Sequence, residues 1–311
     1  RSSDLEFGMQ PGSYVEEQMV GSLRALGFDY VFDTTFAADL TIMEEASELI
    51  ERIQTDKPLP QFTSCCPAWV KFVETYYPEL LPNISTSKSP ISMFAPTIKT
   101  WFAEKESLDP NDIYVVAITP CTAKKFEIVR EELSDAANYL DRESAQDCDR
   151  VVTTRELANW MRARNLDLDH IEESDYDALM PRGSGAGIIF GNTGGVMEAA
   201  IRSAYYFLTK KQPSDELLKL EAVRGMAGVR KAELVIQNIP LKVAVIHGTD
   251  NARKFLHHLK VNKEHFDFVE VMTCPGGCIS GGGQTKHIGE DMDVVRKARI
   301  QALYDKDSSV A

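Results

Sequence analysis

The chain has 311 residues, of which 43% are hydrophobic, and 34 basic against 47 acidic side chains give it a net charge of −13. This apolar content supports a folded core, and the length suits one large domain or two lobes. Nucleic acids and anionic membranes favour cationic surfaces, so the charge argues against both as main partners. Because no apolar run approaches the roughly 20 residues of a membrane helix, no membrane span is expected.

The first half of the chain predicts two helices and two strands. Residues 14–28 ("YVEEQMVGSLRALGF") and 37–54 ("AADLTIMEEASELIERIQ") show the apolar spacing of amphipathic helices. Between them, "YVFDT" (30–34) reads as a short strand. The β-branched run "IYVVAITP" (113–120) predicts a buried parallel strand.

The second half continues the alternation of strands and helices. An acidic connection around 165–177 precedes "AGIIFGNTGG" (186–195), which reads as a strand and a glycine turn leading into the helix "VMEAAIRSAYYFL" (196–208). "LKVAVIHG" (241–248) and "FDFVEVM" (266–272) predict two more strands. This alternation indicates an α/β architecture with parallel sheets, in which ligands bind beyond the carboxyl ends of the strands.

Five of the six cysteines lie in three short segments where such a site is expected. They are Cys65 with Cys66, Cys121 directly after a predicted strand, and Cys274 with Cys278. Clustered thiolates are soft ligands that suit iron–sulfur clusters or zinc in a reducing, cytoplasmic compartment. The glycines after Cys278 would let the backbone approach a bulky inorganic centre. Cys148 stands alone and is interpreted as a structural thiol.

Three segments resemble the signature motifs of the catalytic, H-cluster domain of [FeFe]-hydrogenases. They are "TSCCPAW" (63–69), "TPCTAKKFE" (119–127) and "EVMTCPGGCISGGGQ" (270–284), and "FAADLTIMEE" (36–45) and "FGNTGGVMEAAIR" (190–202) are similar to the family as well. The resemblance covers nearly the whole chain. It implies reversible reduction of protons to H2 by a ferredoxin-type hydrogenase. It also implies two lobes, approximately 1–150 and 151–311, each with a small, mainly parallel β-sheet flanked by helices, and an active site in the cleft between them.

The resemblance also implies a cofactor and its ligands. Cys66, Cys121, Cys274 and Cys278 would bind a [4Fe–4S] cluster, and Cys278 would bridge to a di-iron subcluster that carries CO, cyanide and azadithiolate ligands. The residues implied to surround the di-iron part are Ser64, Ser89, Pro90, Thr119, Lys124 and Met272. Maturation factors would be required. Electrons would come from ferredoxin or from attached iron–sulfur domains outside this chain.

One helix face carries a candidate proton path. Glu45, Glu48 and Arg52 fall within an arc of roughly 60° beside the apolar stripe of the helix. From the pattern alone, a solvated row of ion pairs is favoured. The resemblance instead implies a relay from Cys65 through Glu45, Ser85 and Glu48 to Arg52 at the surface.

Four positions depart from the family pattern: Ala68, Ile91, Thr119 and Thr285. Changes around a metal centre alter rate more readily than cofactor identity. The alternatives are an H2 sensor that uses the same cluster, a hydrogenase-like iron–sulfur assembly protein that lacks the di-iron centre, and, more distantly, a structural zinc domain.

Overall fold

A computed structural model describes residues 4–55, 57–141, 146–180, 182–286 and 291–310. Its strands are β1 (Gln61–Phe62), β2 (Val116–Thr119), β3 (Arg150–Thr153), β4 (Val229–Ile236), β5 (Ile239–His247) and β6 (Phe268–Met272). Its α-helices are α1 (Glu16–Ala25), α2 (Thr34–Gln54), α3 (Pro67–Tyr76), α4 (Pro90–Thr97), α5 (Ala103–Glu106), α6 (Lys124–Glu127), α7 (Asp135–Tyr139), α8 (Thr154–Ala163), α9 (Gly185–Ile189), α10 (Gly195–Thr209), α11 (Asp215–Leu218), α12 (Thr249–Asn262) and α13 (Met292–Val310).

The chain divides into two compact units, and each is built from separate stretches of sequence. Unit 1 comprises 1–37, 90–183 and 279–306, and unit 2 comprises 38–89, 184–278 and 307–311. The expected lobes, 1–150 and 151–311, differ from these units. The reason is strand pairing, because β2 pairs with β3 across position 150 and β1 pairs with β6 near the other end of the chain.

Unit 2 contains a four-stranded sheet in the order β1-β6-β5-β4. The β1–β6 and β6–β5 pairs are parallel, whereas β4 and β5 form an antiparallel hairpin. Gln237 and Asn238 turn this hairpin with positive φ angles of 48° and 68°, which suits the twist of the strands. Unit 1 contains a two-stranded parallel sheet of β2 and β3. The predicted α/β class with small, mainly parallel sheets is confirmed.

Side chains that alternate along the strands fill two separate cores in unit 2. On β5, Leu241, Val243 and Val245 pack into one cluster, and Ala244 and Ile246 pack into the other. Successive residues of a strand point to opposite faces, so each face of the sheet has its own core. The sheet is therefore buried on both sides, as its run of apolar residues predicts.

Two of the predicted strands are wrong. The stretch 30–33 is irregular, and α2 begins at Thr34, with the Asp33 carboxylate accepting the backbone N–H of Thr35 at 3.0 Å. The aromatic side chains of this stretch suggested a strand, but Tyr30 packs edge-on against the ring of Phe102, with centroids 4.9 Å apart. A short aromatic run is ambiguous when no neighbouring strand is available to pair with it.

The stretch read as the strand "AGIIF" is the helix α9. Asn192 ends this segment, because both its backbone N–H and its side-chain amide donate to the carbonyl of Ile189, at 3.1 and 2.8 Å. The other predicted helices and strands are present, with shorter bounds at some ends. In the described part of the chain, no helix is both long and apolar enough to cross a membrane.

Candidate metal and proton-relay site

The carboxyl ends of β1 and β6 bring two of the predicted cysteine ligands into one region of unit 2. These strands run parallel, and the Thr63 hydroxyl accepts the backbone N–H of Val271 at 3.1 Å. Cys66 then starts α3 as its N-cap residue, and its sulfur lies 3.3 Å from the hydroxyl of Thr273, directly before Cys274. The pairing therefore places the Cys66 and Cys274 segments side by side, as the strand rule predicts.

The loop from Cys274 to Cys278 is fixed by two glycines in the left-handed region. Gly276 and Gly277 have φ angles of 81° and 96°, which glycine adopts without strain. The carbonyl of Gly276 accepts the backbone N–H of Thr193 at 3.0 Å. A Cβ on Gly277 would lie 2.6 Å from that same nitrogen, so the two backbones touch.

Cys121 follows β2 in unit 1, and Gly282 and Gly283 of the segment 270–284 pack against the turn that carries it. Gly283 donates its N–H to the carbonyl of Pro120 at 2.7 Å, and a Cβ on Gly282 would meet the Thr122 hydroxyl at 2.7 Å. These two glycines therefore give close contact with the Cys121 turn. We expected them to make room for the inorganic centre, and the structure assigns them this protein contact.

None of the six cysteines is disulfide-bonded. Cys66, Cys121, Cys274 and Cys278 are partly exposed, whereas Cys65 and Cys148 are buried. Burial raises the pKa of the Cys148 thiol to about 11, and its side chain packs in an apolar cluster that also contains Ile91. Within the ranges that the structure describes, no three His, Cys, Asp or Glu side chains are grouped tightly enough to hold a single metal ion. Such grouping is what a structural zinc site would need.

The donor set and one buried amide fit an iron–sulfur cofactor. In unit 2, Cys66, Cys274 and Cys278 are partly exposed thiols, as is Cys121 in unit 1, and thiolates are the ligands that iron–sulfur clusters require. Gln284 follows the glycines and is 1% exposed, and among the described residues neither atom of its side-chain amide has a hydrogen-bond partner. A buried amide left without a partner is costly. Gln284 is therefore ready to interact with a group that the protein does not itself supply.

The predicted pocket residues of unit 2 lie around Cys65. Met272, at the end of β6, and Cys65 pack in one apolar cluster with Ile42 of α2. Ser89 is buried, and the Ser64 hydroxyl donates to the carbonyl of Ser87. Met272 and Ile42 thus give the Cys65 side chain apolar neighbours.

Unit 1 carries the remaining pocket residues. Thr119 ends β2 and is buried, and Pro90 occupies the first position of α4. Lys124, at the start of α6, is buried and pairs with Glu127, with 2.7 Å between nitrogen and oxygen. Thr285 is one of the four positions that depart from the family pattern, and its hydroxyl donates to the carboxylate of Glu6.

Glu45 is completely buried, and among the described residues neither carboxylate oxygen makes a hydrogen bond of standard geometry, although the Ser64 amide and the Ser85 hydroxyl lie near enough to lower its pKa. Burial is the main reason that its pKa rises to about 8, and the charges of Glu48 and Glu270 raise it further. The Ser64 amide and the Ser85 hydroxyl oppose the shift only weakly. Glu45 is therefore protonated at neutral pH, and it lies between the segment that carries Cys65 and Ser85.

Glu48 differs from Glu45 because it is well hydrogen-bonded. Burial raises its pKa, but hydrogen bonds from Ser85, Arg52 and the Thr86 amide outweigh burial and leave the pKa below its ordinary value. The Ser85 hydroxyl donates to Glu48 at 2.6 Å, and the Thr86 amide donates at 2.8 Å. Glu45, Ser85 and Glu48 thus follow one another as a buried protonated carboxyl, a hydroxyl and a carboxylate.

The prediction that Arg52 reaches the surface is wrong. Its side chain is 4% exposed, and its guanidinium donates to Glu48 and to the carbonyls of Pro58, Pro82 and Ile84. An arginine on the buried edge of α2 reaches these carbonyls more readily than it reaches water. Arg52 therefore holds Glu48 in place, and the exposed residue beside Glu48 is Thr86.

Glu270 is a second buried carboxylate that the sequence interpretation did not single out. It is 0% exposed on β6, and burial raises its pKa to about 7 against the opposing effect of hydrogen bonds from Gly194 and Met197. A charged residue in the middle of the apolar run "FVEVM" was the available signal. Gln284 also lay within a quoted motif without receiving a role.

A family comparison agrees with the fold and the cysteine pattern. The model of the iron only hydrogenase large subunit, C-terminal domain, matches residues 2–282, and the chain belongs to this family. It is 43% identical over 307 residues to iron hydrogenase 1 of Clostridium pasteurianum, which covers 98% of this chain and 52% of that protein. It is 45% identical over 280 residues to the periplasmic [Fe] hydrogenase large subunit of Nitratidesulfovibrio vulgaris, which covers 89% and 64%.

Solved structures give the same result. A variant of the [FeFe]-hydrogenase HydA1 from Chlamydomonas reinhardtii superimposes with a TM-score of 0.83 at 36% identity, covering all of this chain and 83% of that one. A more distant relative, the cytosolic Fe-S cluster assembly factor narfl of Xenopus tropicalis, is 30% identical over 300 residues, covering 93% of this chain and 61% of that protein. The chain spans about half to two thirds of the length of the curated relatives that it matches.

Proposed function

We propose that the chain is the catalytic domain of an [FeFe]-hydrogenase and interconverts H2 with two protons and two electrons. The observation that carries this proposal is Glu45, a fully buried carboxyl with no counter-ion among the described residues and a pKa raised to about 8. Such a group destabilises a fold unless it is kept protonated. A protonated carboxyl placed between a buried thiol segment and a hydroxyl is suited to moving protons.

In this proposal, four thiolates hold the cofactor. Cys66, Cys121, Cys274 and Cys278 would bind a [4Fe–4S] cluster, with Cys278 shared by a di-iron group. When bound, that group would supply the centre at which H2 is formed or split, and the protein would bind and orient it and set the electrostatic field around it. The residues that would enclose the di-iron group are Ser64, Ser89, Pro90, Thr119, Lys124 and Met272. Lys124, a buried cation, would attract anionic cyanide, and Met272 would exclude water.

Protons would travel along α2. The Cys65 thiol would exchange a proton with Glu45, and the Ser85 hydroxyl would pass it on to the Glu48 carboxylate, to which it already donates at 2.6 Å. Arg52 would not carry protons, because a guanidinium stays charged at all ordinary pH values. Its role would be to keep Glu48 oriented and ionised, ready to accept. The path would then leave the protein beside the exposed Thr86.

Electrons would come from reduced ferredoxin or from attached iron–sulfur domains. With four cysteines assigned to one cluster, and Cys65 and Cys148 in other roles, this chain has no thiols for a further four-cysteine cluster. A cytoplasmic setting would suit these thiols, although one similar protein is named as periplasmic. Installation of the di-iron group would need maturation factors.

Two other functions remain as rivals. An H2 sensor would carry the same cofactor without rapid turnover. A relative named as an iron–sulfur cluster assembly factor is 30% identical, below the 43% and 45% of the hydrogenases. The buried relay residues favour turnover over both alternatives, because neither sensing nor assembly needs a proton path.

The test uses two buried cysteines of this chain as a matched pair. Protein produced with the maturation factors is assayed for H2 evolution with reduced methyl viologen, as wild type, Cys65→Ala and Cys148→Ala. Removing a group that transfers protons should lower turnover by about 10²- to 10⁴-fold in Cys65→Ala, with iron content unchanged. Cys148→Ala should retain activity. Full H2 evolution by Cys65→Ala would contradict the relay, and a mature wild type that does not turn over would favour the sensor.

A further inference from the structure

Glu270 stands out as a buried carboxylate with no part in the proposed relay. It is 0% exposed on β6, four residues before Cys274. Glutamate is almost never fully buried unless it is paired, because removing its charge from water is costly. Its retention in the middle of an apolar strand therefore calls for a specific interaction.

That interaction is with the first turn of α10. One oxygen of Glu270 accepts the backbone N–H of Gly194 at 2.7 Å, and the other accepts the N–H of Met197 at 2.7 Å. These amides belong to the start of a 15-residue helix, where N–H groups lack partners within the helix and attract negative charge. The carboxylate thus ties β6 to the beginning of α10.

The same turn holds the loop between two predicted cluster ligands. Thr193, directly before Gly194, donates its N–H to the carbonyl of Gly276 at 3.0 Å. Gly277 presses on that same backbone, because a Cβ there would lie 2.6 Å from the Thr193 nitrogen. Gly276 and Gly277 stand between Cys274 and Cys278.

Arg230 on β4 steadies this loop from another side. Its guanidinium donates to the Thr193 hydroxyl at 2.6 Å and to the carbonyl of Gly225. Its charge also favours the ionised form of Glu270. Gly194 itself has a φ of 95°, and a Cβ there would meet the carbonyl of Val223 at 2.3 Å, so the turn has little room to move.

We propose that Glu270 is a positioning residue that holds the Cys274–Cys278 loop in the geometry that the cluster needs, by way of the 193–194 backbone. The proposal rests on the proposed function, because that function assigns the two cysteines as ligands. Residues that orient metal ligands without touching the metal typically change affinity or activity by 10- to 100-fold when replaced. Glu270 bonds to the backbone N–H groups of Gly194 and Met197. Thr193, next to Gly194, then makes the contact with the loop at the carbonyl of Gly276.

Glu270→Gln tests this role, and Glu198→Gln provides a matched control. A glutamine keeps one oxygen acceptor but sets an N–H₂ donor against the second backbone N–H, so one of the two bonds is lost. Glu198 is also 0% exposed and lies on α10, but its partners are the side chains of Arg202 and Arg224. Glu198→Gln therefore perturbs the same helix without touching the 193–194 turn.

The experiment compares the [4Fe–4S] cluster of the three proteins without the di-iron part. Each is reconstituted anaerobically with ferrous iron and sulfide, and the rate at which a chelator removes the iron is measured together with the reduction potential of the cluster. Glu270→Gln should lose its cluster about 10- to 100-fold faster than wild type and show a shifted potential. Glu198→Gln should melt at a lower temperature but match wild type in both cluster measurements.

The outcomes separate this inference from the proposed function. If wild type binds no cluster, the proposed function fails. If wild type binds one and Glu270→Gln matches it, or if Glu198→Gln loses the cluster equally fast, the positioning role is overturned. Should Glu270→Gln fail to fold, Glu270→Asp keeps the charge on a side chain one methylene shorter. Faster cluster loss in Glu270→Asp would support the role, and an unchanged rate would overturn it.

Discussion

Glu45 on α2 and Glu198 on α10 are both completely buried in unit 2, but their surroundings differ. Glu198 shares its carboxylate between two arginines, Arg202 and Arg224, each 2.6 Å away, and Arg202 also pairs with Asp307 at 2.8 Å. Among the described residues Glu45 has no counter-ion, and its pKa is raised to about 8. A buried charge that is fully paired holds a fold together, whereas a buried carboxyl without a counter-ion weakens it and persists where a proton has to be carried.

The largest effect expected from this contrast concerns activity at Glu45. Glu45→Gln keeps the size and neutrality of the protonated acid but cannot exchange a proton. H2 evolution should therefore fall by about 10²- to 10⁴-fold while iron content stays at the wild-type level. The assay is steady-state turnover with reduced methyl viologen. Turnover near the wild-type rate would show that protons follow another path.

The second prediction concerns stability at Glu198. Glu198→Gln leaves Arg202 and Arg224 without their shared carboxylate, and breaking a buried ion pair typically costs about 3–5 kcal/mol. Urea unfolding of the reconstituted protein should show a loss of that order in the free energy of unfolding. The surviving folded fraction should retain its turnover per cluster. A variant as stable as wild type would mean that the network contributes little to the fold.

The third prediction concerns the pH dependence of stability that Glu45 imposes. Its pKa is about 8 in the folded state and 4.5 as the ordinary value, so between these pH values unfolding releases a proton. The free energy of unfolding should fall with rising pH by up to about 1.4 kcal/mol per pH unit from this group, and the effect should level off above pH 8.

Glu45→Gln removes this contribution and provides its own control. The variant should gain stability relative to wild type as the pH rises from 4.5 to 8, and the difference should stay constant below pH 4.5. Urea unfolding at several pH values measures it, and Glu270 titrates in both proteins, so its contribution cancels. A difference that does not change with pH would show that Glu45 is ionised in the folded protein.

Patterns local in sequence predicted much of the fold and of the site. The helical spacing of α2 placed Glu45 and Glu48 at its buried edge, and the structure finds Glu44 and Glu51 exposed. The rule for parallel strands placed Cys121 and Cys274 at the carboxyl ends of strands, and β2 and β6 do end directly before these segments. Apolar runs rich in β-branched residues predicted β2 and β5, because a strand buried on both faces needs apolar side chains on both.

Features that depend on distant partners could not be predicted. Whether Arg52 meets water or the carbonyls of distant turns is set by tertiary contacts, and α2 alone does not show them. The glycines near Gln284 serve contacts with the Cys121 turn, which lies some 160 residues away in the sequence. Glu270 stayed hidden because its partners are backbone amides, and these leave no mark in a sequence.

Infrared spectroscopy of the matured protein tests the central claim most directly. We expect stretching bands from metal-bound CO and cyanide in wild type and in Cys65→Ala, because in the proposed function Cys65 carries protons and binds no iron. A chain that acquires its [4Fe–4S] cluster beside active maturation factors, yet shows no such bands, would contradict the assignment and support the assembly-factor alternative.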